Sequence, residues 1–289
     1  FMSVLSLVSL TFITLIAFAA NSVFCRLALD EQNMDPMSFT GLRIASAALV
    51  LGLIMLLKSP NSFRSFTALN AYGSWRQAGY LFAYAAGFSY AYVTLPTATG
   101  ALILFAAVQF TMLFVARLSG NRMNAMASAG VVISLLGFVY FVMPELSSPS
   151  LVGLVVMALA GIAWGMYSLA GAKSTHALES TGSNFIRCLP FGLILMAVFM
   201  PTARLTFEGV SYALASGALA SGIGYAIWYQ VLPKLDSSVA AVCQLCVPII
   251  AAFGGVLLVA EPITSHLLLS SIAILGGMLL VIVGKKKSV

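Results

Sequence analysis

Residues 97–116 read TATGALILFAAVQFTMLFVA, a run of twenty residues without a single charge. A helix needs about 20 apolar residues to cross the ~30 Å hydrocarbon core of a bilayer. Pro96, which cannot continue a helix, precedes the run, and the charged Arg117 follows it. The stretch therefore predicts one membrane-spanning helix. Other apolar runs of about the same length in the chain predict further spans.

The composition of the whole chain points to the same class of protein. Of its 289 residues, 61% are hydrophobic and only 8% are charged. A soluble domain carries about 25% charged residues, because its surface faces water. We therefore expect an all-α integral membrane protein. The net charge of +6 is better explained by orientation in a bilayer than by phosphate binding, so no nucleic-acid partner is expected.

Further apolar runs lie between charge clusters and Pro or Gly breaks. Together they predict ten transmembrane helices, at residues 4–28, 36–57, 76–94, 97–116, 123–143, 151–171, 181–200, 209–231, 237–258 and 265–284. With ten spans both termini share one side of the membrane. That side would hold ten of the fourteen Lys and Arg residues, namely Lys58, Arg64, Arg76, Arg117, Arg122, Lys173, Lys234, Lys285, Lys286 and Lys287. Basic segments stay in the cytoplasm. We therefore expect both termini on the cytoplasmic side of a cell membrane, such as the inner membrane of a bacterium.

Short motifs recur at matched places in the two halves of the chain. The matching stretches are Tyr92-Val-Thr-Leu-Pro96 with Tyr229-Gln-Val-Leu-Pro233, and Ser38-Phe-Thr-Gly-Leu-Arg43 with Ser183-Asn-Phe-Ile-Arg187. They predict two five-helix repeats, residues 1–146 and residues 147–289. Because five is an odd number, the two repeats enter the membrane in opposite senses. Inverted repeats are typical of transporters, which hold their substrate near the membrane midplane between the halves.

A family resemblance follows from these features. Arg43 and Arg187 lie in the second and seventh predicted helices, and Pro248 is followed by Leu257-Leu-Val-Ala-Glu261-Pro262. With the paired five-helix units, they resemble the EamA-type members of the drug/metabolite transporter superfamily over nearly the whole chain. The resemblance implies an exporter or exchanger of small metabolites, often amino acids, with a central cavity between the halves. One departure is Arg117-Leu-Ser-Gly-Asn-Arg122, which stands where a Glu would often match Glu261.

Seven residues inside the predicted spans are candidates for binding a substrate. Each carries an aromatic ring or a side-chain amide, and an amide without a partner is costly in hydrocarbon. The candidates are Asn21, Tyr80, Tyr84, Gln109, Trp164, Tyr225 and Gln244. The alternatives are packing between helices, an interhelical hydrogen bond, or an aromatic belt at the membrane interface.

Four further residues are candidates for gating or structural roles. Arg43 and Arg187 each lie about 10 Å from the start of a predicted helix, at 1.5 Å per residue. At that depth they could snorkel, form a structural pair, or bind a substrate carboxylate. Pro248 leaves the carbonyl of Gln244 without its helical partner, which predicts a polar site or a hinge. Glu261 is expected to cap or orient an outer gate.

The sequence bears on the mechanism through what its predicted spans lack. No Asp or Glu lies deep in any span, so a buried carboxylate proton switch is not expected, and exchange or passive transport fits as well as proton-driven export. Cys243 and Cys246 form a C-x-x-C motif in apolar surroundings without a nearby His, so we expect neither a metal nor another cofactor.

We therefore expect a secondary transporter without enzymatic activity, whose partners are the lipid bilayer and a small-molecule substrate. We expect that substrate to be an amino acid or a related zwitterion. The alternatives are an integral membrane enzyme, which would need nucleophiles, acids or metal ligands converging at one depth, and a receptor that binds without transporting. A monomer and a homodimer are equally compatible with the sequence.

Overall fold

The structure is a computed structural model that describes residues 3–29, 33–58, 71–120, 124–143, 150–171, 174–235, 240 and 243–286. Within these ranges the chain folds into a succession of helices. They are α1 (Val4–Leu29), α2 (Pro36–Lys58), α3 (Trp75–Ala91), α4 (Thr97–Leu118), α5 (Ala125–Val142), α6 (Leu151–Gly171), α7 (Ala177–Phe199), α8 (Phe207–Lys234), α9 (Cys246–Leu258) and α10 (Ser265–Lys286).

Seven of the described helices are long and apolar enough to cross a membrane, namely α1, α2, α4, α6, α7, α8 and α10. Helix α3 has 17 residues and α9 has 13. At 1.5 Å per residue, 13 residues cover about 20 Å, which is less than the ~30 Å hydrocarbon core. The chain is thus a multi-pass membrane protein. The predicted ninth span, 237–258, is matched by α9 only from Cys246 onward, and part of its first half lies outside the described residues.

Large apolar side chains cover the outer surface of the helices. Phe207 is 86% exposed, Leu57 83% and Leu257 79%, and many other Leu, Val and Ile side chains are exposed as well. Soluble monomers rarely expose continuous apolar patches larger than a few hundred Å². This surface is suited to the lipid acyl chains that surround a membrane protein.

The helices pack in a definite pattern of pairs. Helix α2 packs against α7, α5 against α10, and α4 against α9, whereas α6 lies against α3 and α4, and α1 lies against α8 and α9. Small residues allow the closest of these approaches. A Cβ atom on Gly161 of α6 would lie 2.6 Å from the carbonyl oxygen of Leu104 in α4, so any larger residue there would push the two helices apart.

Helix α8 changes its winding halfway along. Its α-helical ends, Phe207–Ala215 and Gly224–Val231, flank a π-helical segment, Ser216–Ile223. Such wide turns are rare and often occur at functional sites. Gly217 of this segment packs so tightly on α2 that a Cβ atom would overlap the carbonyl of Arg43. The sequence pattern predicted a regular helix at 209–231 and gave no sign of this segment.

Candidate functional site

A cavity of about 490 Å³ lies between the helices. Its walls come from α1, α3, α4, α6, α7 and α8, together with Ala240 and Gln244 just before α9. Small-molecule sites commonly have volumes of about 300–1,000 Å³. Gln77 and Phe88 of α3 both line the cavity, and their separation of eleven residues corresponds to about 16 Å of depth.

The cavity reaches the protein surface at one end. Phe88 and Ser22 are 1% and 2% exposed, whereas Ser174 is half-buried and Pro233 is exposed. We call the end near Ser174 and Pro233 the open end; here α6 and α8 finish and α7 begins. We call the opposite end, where α1 and α3 finish and α4 begins, the closed end. Among the described lining residues, only Pro233 is exposed, and it lies at the open end.

The structure brings most of the predicted substrate-binding residues together. Six of the seven line this one cavity, namely Asn21, Tyr84, Gln109, Trp164, Tyr225 and Gln244. Tyr80 is not among the lining residues; it is half-buried and packs against the hydrophobic core. The part that these residues play in binding a substrate stays a prediction.

Aromatic rings form a continuous wall along the cavity. The ring centroid of Trp164 in α6 lies 4.7 Å from that of Tyr84, 5.3 Å from that of Tyr167 and 5.4 Å from that of Tyr225. Phe18 of α1 continues the wall, with its centroid 5.4 Å from that of Tyr225. Such rings offer flat apolar surfaces to a ligand and attract cationic groups through their faces.

Asn21 is oriented by the π-helical segment of α8. Its Oδ1 accepts hydrogen bonds from the hydroxyl of Ser216 at 2.8 Å and from that of Ser221 at 3.4 Å. These bonds occupy the oxygen of the amide, so its NH₂ group is the part that remains for the cavity that Asn21 lines.

Arg43 is buried behind the aromatic wall rather than at the membrane surface. Its side chain is only 3% exposed, and its Nη2 donates a hydrogen bond of 2.9 Å to the hydroxyl of Tyr84. Its Cζ lies 4.7 Å from the ring centroid of Phe88 and 5.2 Å from that of Tyr84. The alternative that Arg43 snorkels toward the lipid headgroups is wrong, because α3 supplies partners for its charge inside the protein.

Arg187 and its neighbours join the first half of α7 to the segment that precedes α3. Arg187 donates through Nη1 to the carbonyl of Tyr72 at 2.8 Å and to the hydroxyl of Ser183. Asn184 Oδ1 accepts a hydrogen bond of 2.9 Å from the backbone N–H of Ser74, and Asn184 Nδ2 donates to Gln77 Oε1 at 2.9 Å. Among the residues that the structure describes, polar but uncharged acceptors thus join α7 to α3 and to the segment before it at the open end.

An ion pair holds the closed end. Arg26 Nε of α1 lies 3.1 Å from Glu261 Oε1, and Arg26 Nη1 donates to the carbonyl of Tyr92 at 3.1 Å. Glu261 Oε2 accepts a hydrogen bond of 2.7 Å from the backbone N–H of Thr97, the first residue of α4. A helix N-terminus attracts negative charge through its unpaired N–H groups. Glu261 therefore joins α1, α4 and the segment after α9.

A second contact at the closed end involves the segments before α2 and before α8. Met34 and Leu205 form an isolated antiparallel β-bridge. Asp35 accepts hydrogen bonds from the backbone N–H groups of Met37 and Ser38, at 3.1 and 2.9 Å, and thereby caps α2. Its other oxygen accepts one from the backbone N–H of Arg204 at 3.2 Å.

The chain breaks its helical path where Pro248 was predicted to disturb it. A turn at Leu245 separates the helical residues Cys243 and Gln244 from α9, which begins at Cys246 and contains Pro248 in its first turn. Proline has no N–H to donate to the carbonyl four residues earlier, that of Gln244, and so favours a break here. Gln244, beside this break, lines the cavity, and the role of Pro248 in a polar site or hinge stays a prediction.

Several lining residues were not among the sequence candidates. Trp228 and Tyr229 lie near a helix end, where aromatic residues often form a belt at the membrane interface, yet both line the cavity, and Trp228 is only 4% exposed. The spacing of Tyr225, Trp228 and Tyr229 by three and four residues places them on one face of α8, and this was the signal that could have found them. Phe18, Tyr167, Thr181 and Asn184 gave no such signal, because their place on the wall depends on neighbouring helices.

Comparisons with known proteins agree with this architecture. An uncharacterized protein of Pseudomonas aeruginosa is 44% identical over 273 residues, which cover 94% of this chain and 93% of that protein. An Escherichia coli protein named "Probable amino-acid metabolite efflux pump" is 22% identical over an alignment of 294 residues. The alignment covers 95% of this chain and 94% of that protein. A crystal structure of a protein 20% identical superposes with a TM-score of 0.64, covering 93% of this chain and 96% of that one, and so shares the fold.

The family comparison names the class of protein. The EamA-like transporter family matches residues 151–283. Together with the relative that is 44% identical over almost its full length, this match shows the relationship. The chain belongs to the EamA-like transporter family of the drug/metabolite transporter superfamily.

Proposed function

We propose that this protein is a secondary transporter that moves small metabolites across a cell membrane by alternating access. Amino acids or related zwitterions are its substrates. The observation that carries the proposal is the cavity itself. It has a volume suited to a metabolite, it reaches the surface at the open end, and the Arg26–Glu261 ion pair joins the helices at the closed end. This arrangement is what one state of an alternating-access carrier requires.

The packing of the helices supports ten membrane crossings arranged as two five-helix repeats, residues 1–146 and 147–289. Suppose that each helix of α1–α5 exchanges places with its counterpart in α6–α10, so that α1 becomes α6 and α3 becomes α8. The contacts of α1 with α8 and α9 then become the observed contacts of α6 with α3 and α4. The same exchange leaves the pairs α2–α7, α4–α9 and α5–α10 unchanged. A pseudo-twofold relation between the repeats accounts for all of these contacts. The segment that matches the family, 151–283, lies within the second repeat.

The loop contacts support an inverted relation between the repeats. At the closed end the segment between α1 and α2 meets the segment between α7 and α8, at Met34 and Leu205. At the open end the segment between α2 and α3 meets the segment before α7, where the ring centroids of Tyr72 and His176 lie 5.3 Å apart. These two meetings are equivalent under the exchange of repeats, yet they occur at opposite ends of the long helix α7. Repeats in opposite orientations account for that arrangement.

The distribution of charge supports an orientation with the open end in the cytoplasm. Lys58, Arg76 and Lys234 lie at helix ends on the open side. Positively charged residues favour the cytoplasmic side of a membrane. Both termini are then cytoplasmic. The protein acts as a monomer or a homodimer, without enzymatic activity of its own.

Substrate counterflow in proteoliposomes tests the proposal. Liposomes loaded with one unlabelled amino acid are expected to accumulate the same labelled amino acid transiently, because a carrier exchanges one for the other. A panel of amino acids identifies the preferred substrate. Trp164→Ala and Gln244→Ala are expected to abolish most of the flux, because both side chains line the cavity.

A second tryptophan provides the matched control. Trp75 lies at the start of α3, is 57% exposed and does not line the cavity. Trp75→Ala is therefore expected to keep the wild-type flux. Unchanged flux in both Trp164→Ala and Gln244→Ala would contradict a transport route through this cavity. A complete lack of counterflow for every member of a broad metabolite panel would contradict the transporter function.

A further inference from the structure

The cavity is polar but carries no formal charge on its walls. None of the described residues that line it is Asp, Glu, Lys, Arg or His. Its polar groups are amides and hydroxyls, and most of the rest of its surface is aromatic or aliphatic. The charge preference of such a cavity is then determined by charges that lie behind the wall.

One such charge lies behind Tyr84. Arg43 is 3% exposed and donates to the Tyr84 hydroxyl. Its other terminal nitrogen, Nη1, is buried and has no hydrogen-bond partner among the residues that the structure describes. Arg26 forms an ion pair with Glu261, whereas Arg43 forms no ion pair with any acidic side chain that the structure describes. A buried cation without an anionic partner is costly, so this region of the cavity attracts negative charge.

Tyr84 offers a hydrogen-bond donor to the cavity. A hydroxyl has one proton to donate, and the Tyr84 oxygen already accepts a hydrogen bond from Arg43. Its own proton therefore points away from Arg43, and Tyr84 lines the cavity. A hydroxyl that accepts a bond from a cation is also a stronger donor, because hydrogen bonds in a chain polarise one another.

Asn21 supplies a second donor in the same neighbourhood. Its oxygen is held by Ser216 and Ser221, which leaves the NH₂ group for the cavity. Ser216 is followed by Gly217, which packs directly on the backbone carbonyl of Arg43. The π-helical segment thus contacts both Asn21, through its serine hydroxyls, and the backbone of Arg43, the residue that binds Tyr84. Two donors and one buried cation therefore lie around the part of the cavity that Asn21, Ser22, Tyr84 and Phe88 line, which we call the deep region.

We infer that the deep region of the cavity is a subsite for a carboxylate group of the substrate. The Tyr84 hydroxyl and the Asn21 amide donate to the carboxylate, and Arg43 acts as a positioning residue that supplies the countercharge behind Tyr84. The aromatic wall around Trp164 accommodates the remainder of the molecule, including an ammonium group over its ring faces. The inference rests on the proposed transport function. It adds that amines without a carboxylate are excluded.

Ligand-induced thermal stabilisation of the purified full-length protein tests the subsite. Two matched series are used: L-leucine, 4-methylpentanoate and 3-methylbutylamine, and L-phenylalanine, 3-phenylpropionate and phenethylamine. In each series the second compound lacks the ammonium group and the third lacks the carboxylate. Carboxylate-bearing members of at least one series are expected to raise the Tm, because a ligand that binds only the folded state stabilises it. The amines are expected to leave the Tm unchanged.

Variants assign the preference to the named residues. Arg43→Gln and Tyr84→Phe are each expected to weaken carboxylate binding by about 10- to 100-fold, the usual effect of losing a charge-assisted hydrogen bond. Arg43→Lys retains the charge and is expected to retain most of the affinity. Arg76→Gln changes the net charge equally at an exposed position outside the cavity, and it is expected to bind as the wild type does. Because Tyr84→Phe keeps the ring, it provides the test if Arg43→Gln fails to fold.

Three results would overturn the inference. They are stabilisation by the amines equal to that by the carboxylates, no stabilisation by any carboxylate in either series, and full carboxylate affinity in Tyr84→Phe or Arg43→Gln. Counterflow measurements distinguish failure of the subsite from failure of the proposed transport function. Carboxylate binding without counterflow would contradict transport and leave the subsite standing, whereas flux of the amines would support transport and exclude the subsite.

Discussion

The two ends of the cavity are built from different interactions. At the closed end a carboxylate, Glu261, joins Arg26 to the N-terminus of α4. At the open end the described contacts of Asn184 and Arg187 are with uncharged acceptors, and the cavity reaches the surface beside them. The sequence carries a related inequality, since Arg117-Leu-Ser-Gly-Asn-Arg122, which follows from the end of α4, contains no acid, whereas Glu261 follows α9. The two ends of one cavity can thus differ in how firmly each is closed.

Loss of the Glu261 charge is expected to produce the largest change. Glu261→Gln removes the ion pair with Arg26 and weakens the bond from the Thr97 N–H. Hydrogen bonds to charged groups contribute about 1.5–3 kcal/mol, so the closed end should open about ten-fold more often or more. Amide hydrogen exchange over residues 92–99, followed by mass spectrometry, measures this opening.

An exposed acid provides the control for that measurement. Glu208 lies in the first turn of α8 and takes no part in the contacts of Glu261. Glu208→Gln is expected to leave exchange over residues 92–99 unchanged. Equal protection in Glu261→Gln and the wild type would show that the ion pair does not hold the closed end.

The open end is expected to respond less to an equivalent loss. Asn184→Ala removes the bonds to the Ser74 N–H and to Gln77. An uncharged hydrogen bond contributes about 0.5–1.5 kcal/mol net, so exchange over residues 71–78 should rise by less than it does at the closed end in Glu261→Gln. Thr175→Ala, at an exposed neighbouring position, is the control. A larger rise at the open end than at the closed end would reverse the comparison.

The smallest effect is expected at Asp35, which contributes to the closed end mainly as a helix cap. Asp35→Asn keeps an oxygen for the N–H groups of Met37 and Ser38, and Asn caps helices about as well as Asp does. It should change the free energy of unfolding by only a few tenths of a kcal/mol, whereas Asp35→Ala should cost about 1 kcal/mol. Thermal denaturation of the two variants measures the difference. Equal losses in both would mean that the charge, rather than the cap, is what matters.

The helices were largely predictable because the bilayer fixes their length and composition. The predicted spans 36–57, 97–116 and 151–171 differ by at most two residues at either end from α2, α4 and α6. The π-helical segment was not predictable, because it depends on the backbone of α2 against which Gly217 packs. The short α9 was missed for a related reason. Hydropathy does not record where a helix is interrupted by a turn, as at Leu245.

The cavity was partly predictable because polar atoms in an apolar helix must find a partner or water. That rule selected Asn21, Gln109 and Gln244, which all line the cavity. It did not predict the position of the Arg43 side chain, because the depth of Arg43 along α2 does not show that a tyrosine of α3 lies beside it. Tyr84 is the residue that keeps Arg43 inside the protein. Contacts between helices therefore determine the part of the site that a single sequence leaves open.

The most direct test of alternating access is to fasten the closed end and measure transport. Met34 and Leu205 form the β-bridge that joins the segment before α2 to the segment before α8 there, and neither lines the cavity. Residues paired across antiparallel strands have Cα atoms about 4.5–5.5 Å apart, which suits a disulfide. In a Met34→Cys, Leu205→Cys double variant, oxidation is expected to abolish counterflow while substrate still binds from the open end, and reduction is expected to restore counterflow. Full counterflow in the completely oxidised protein would contradict the account.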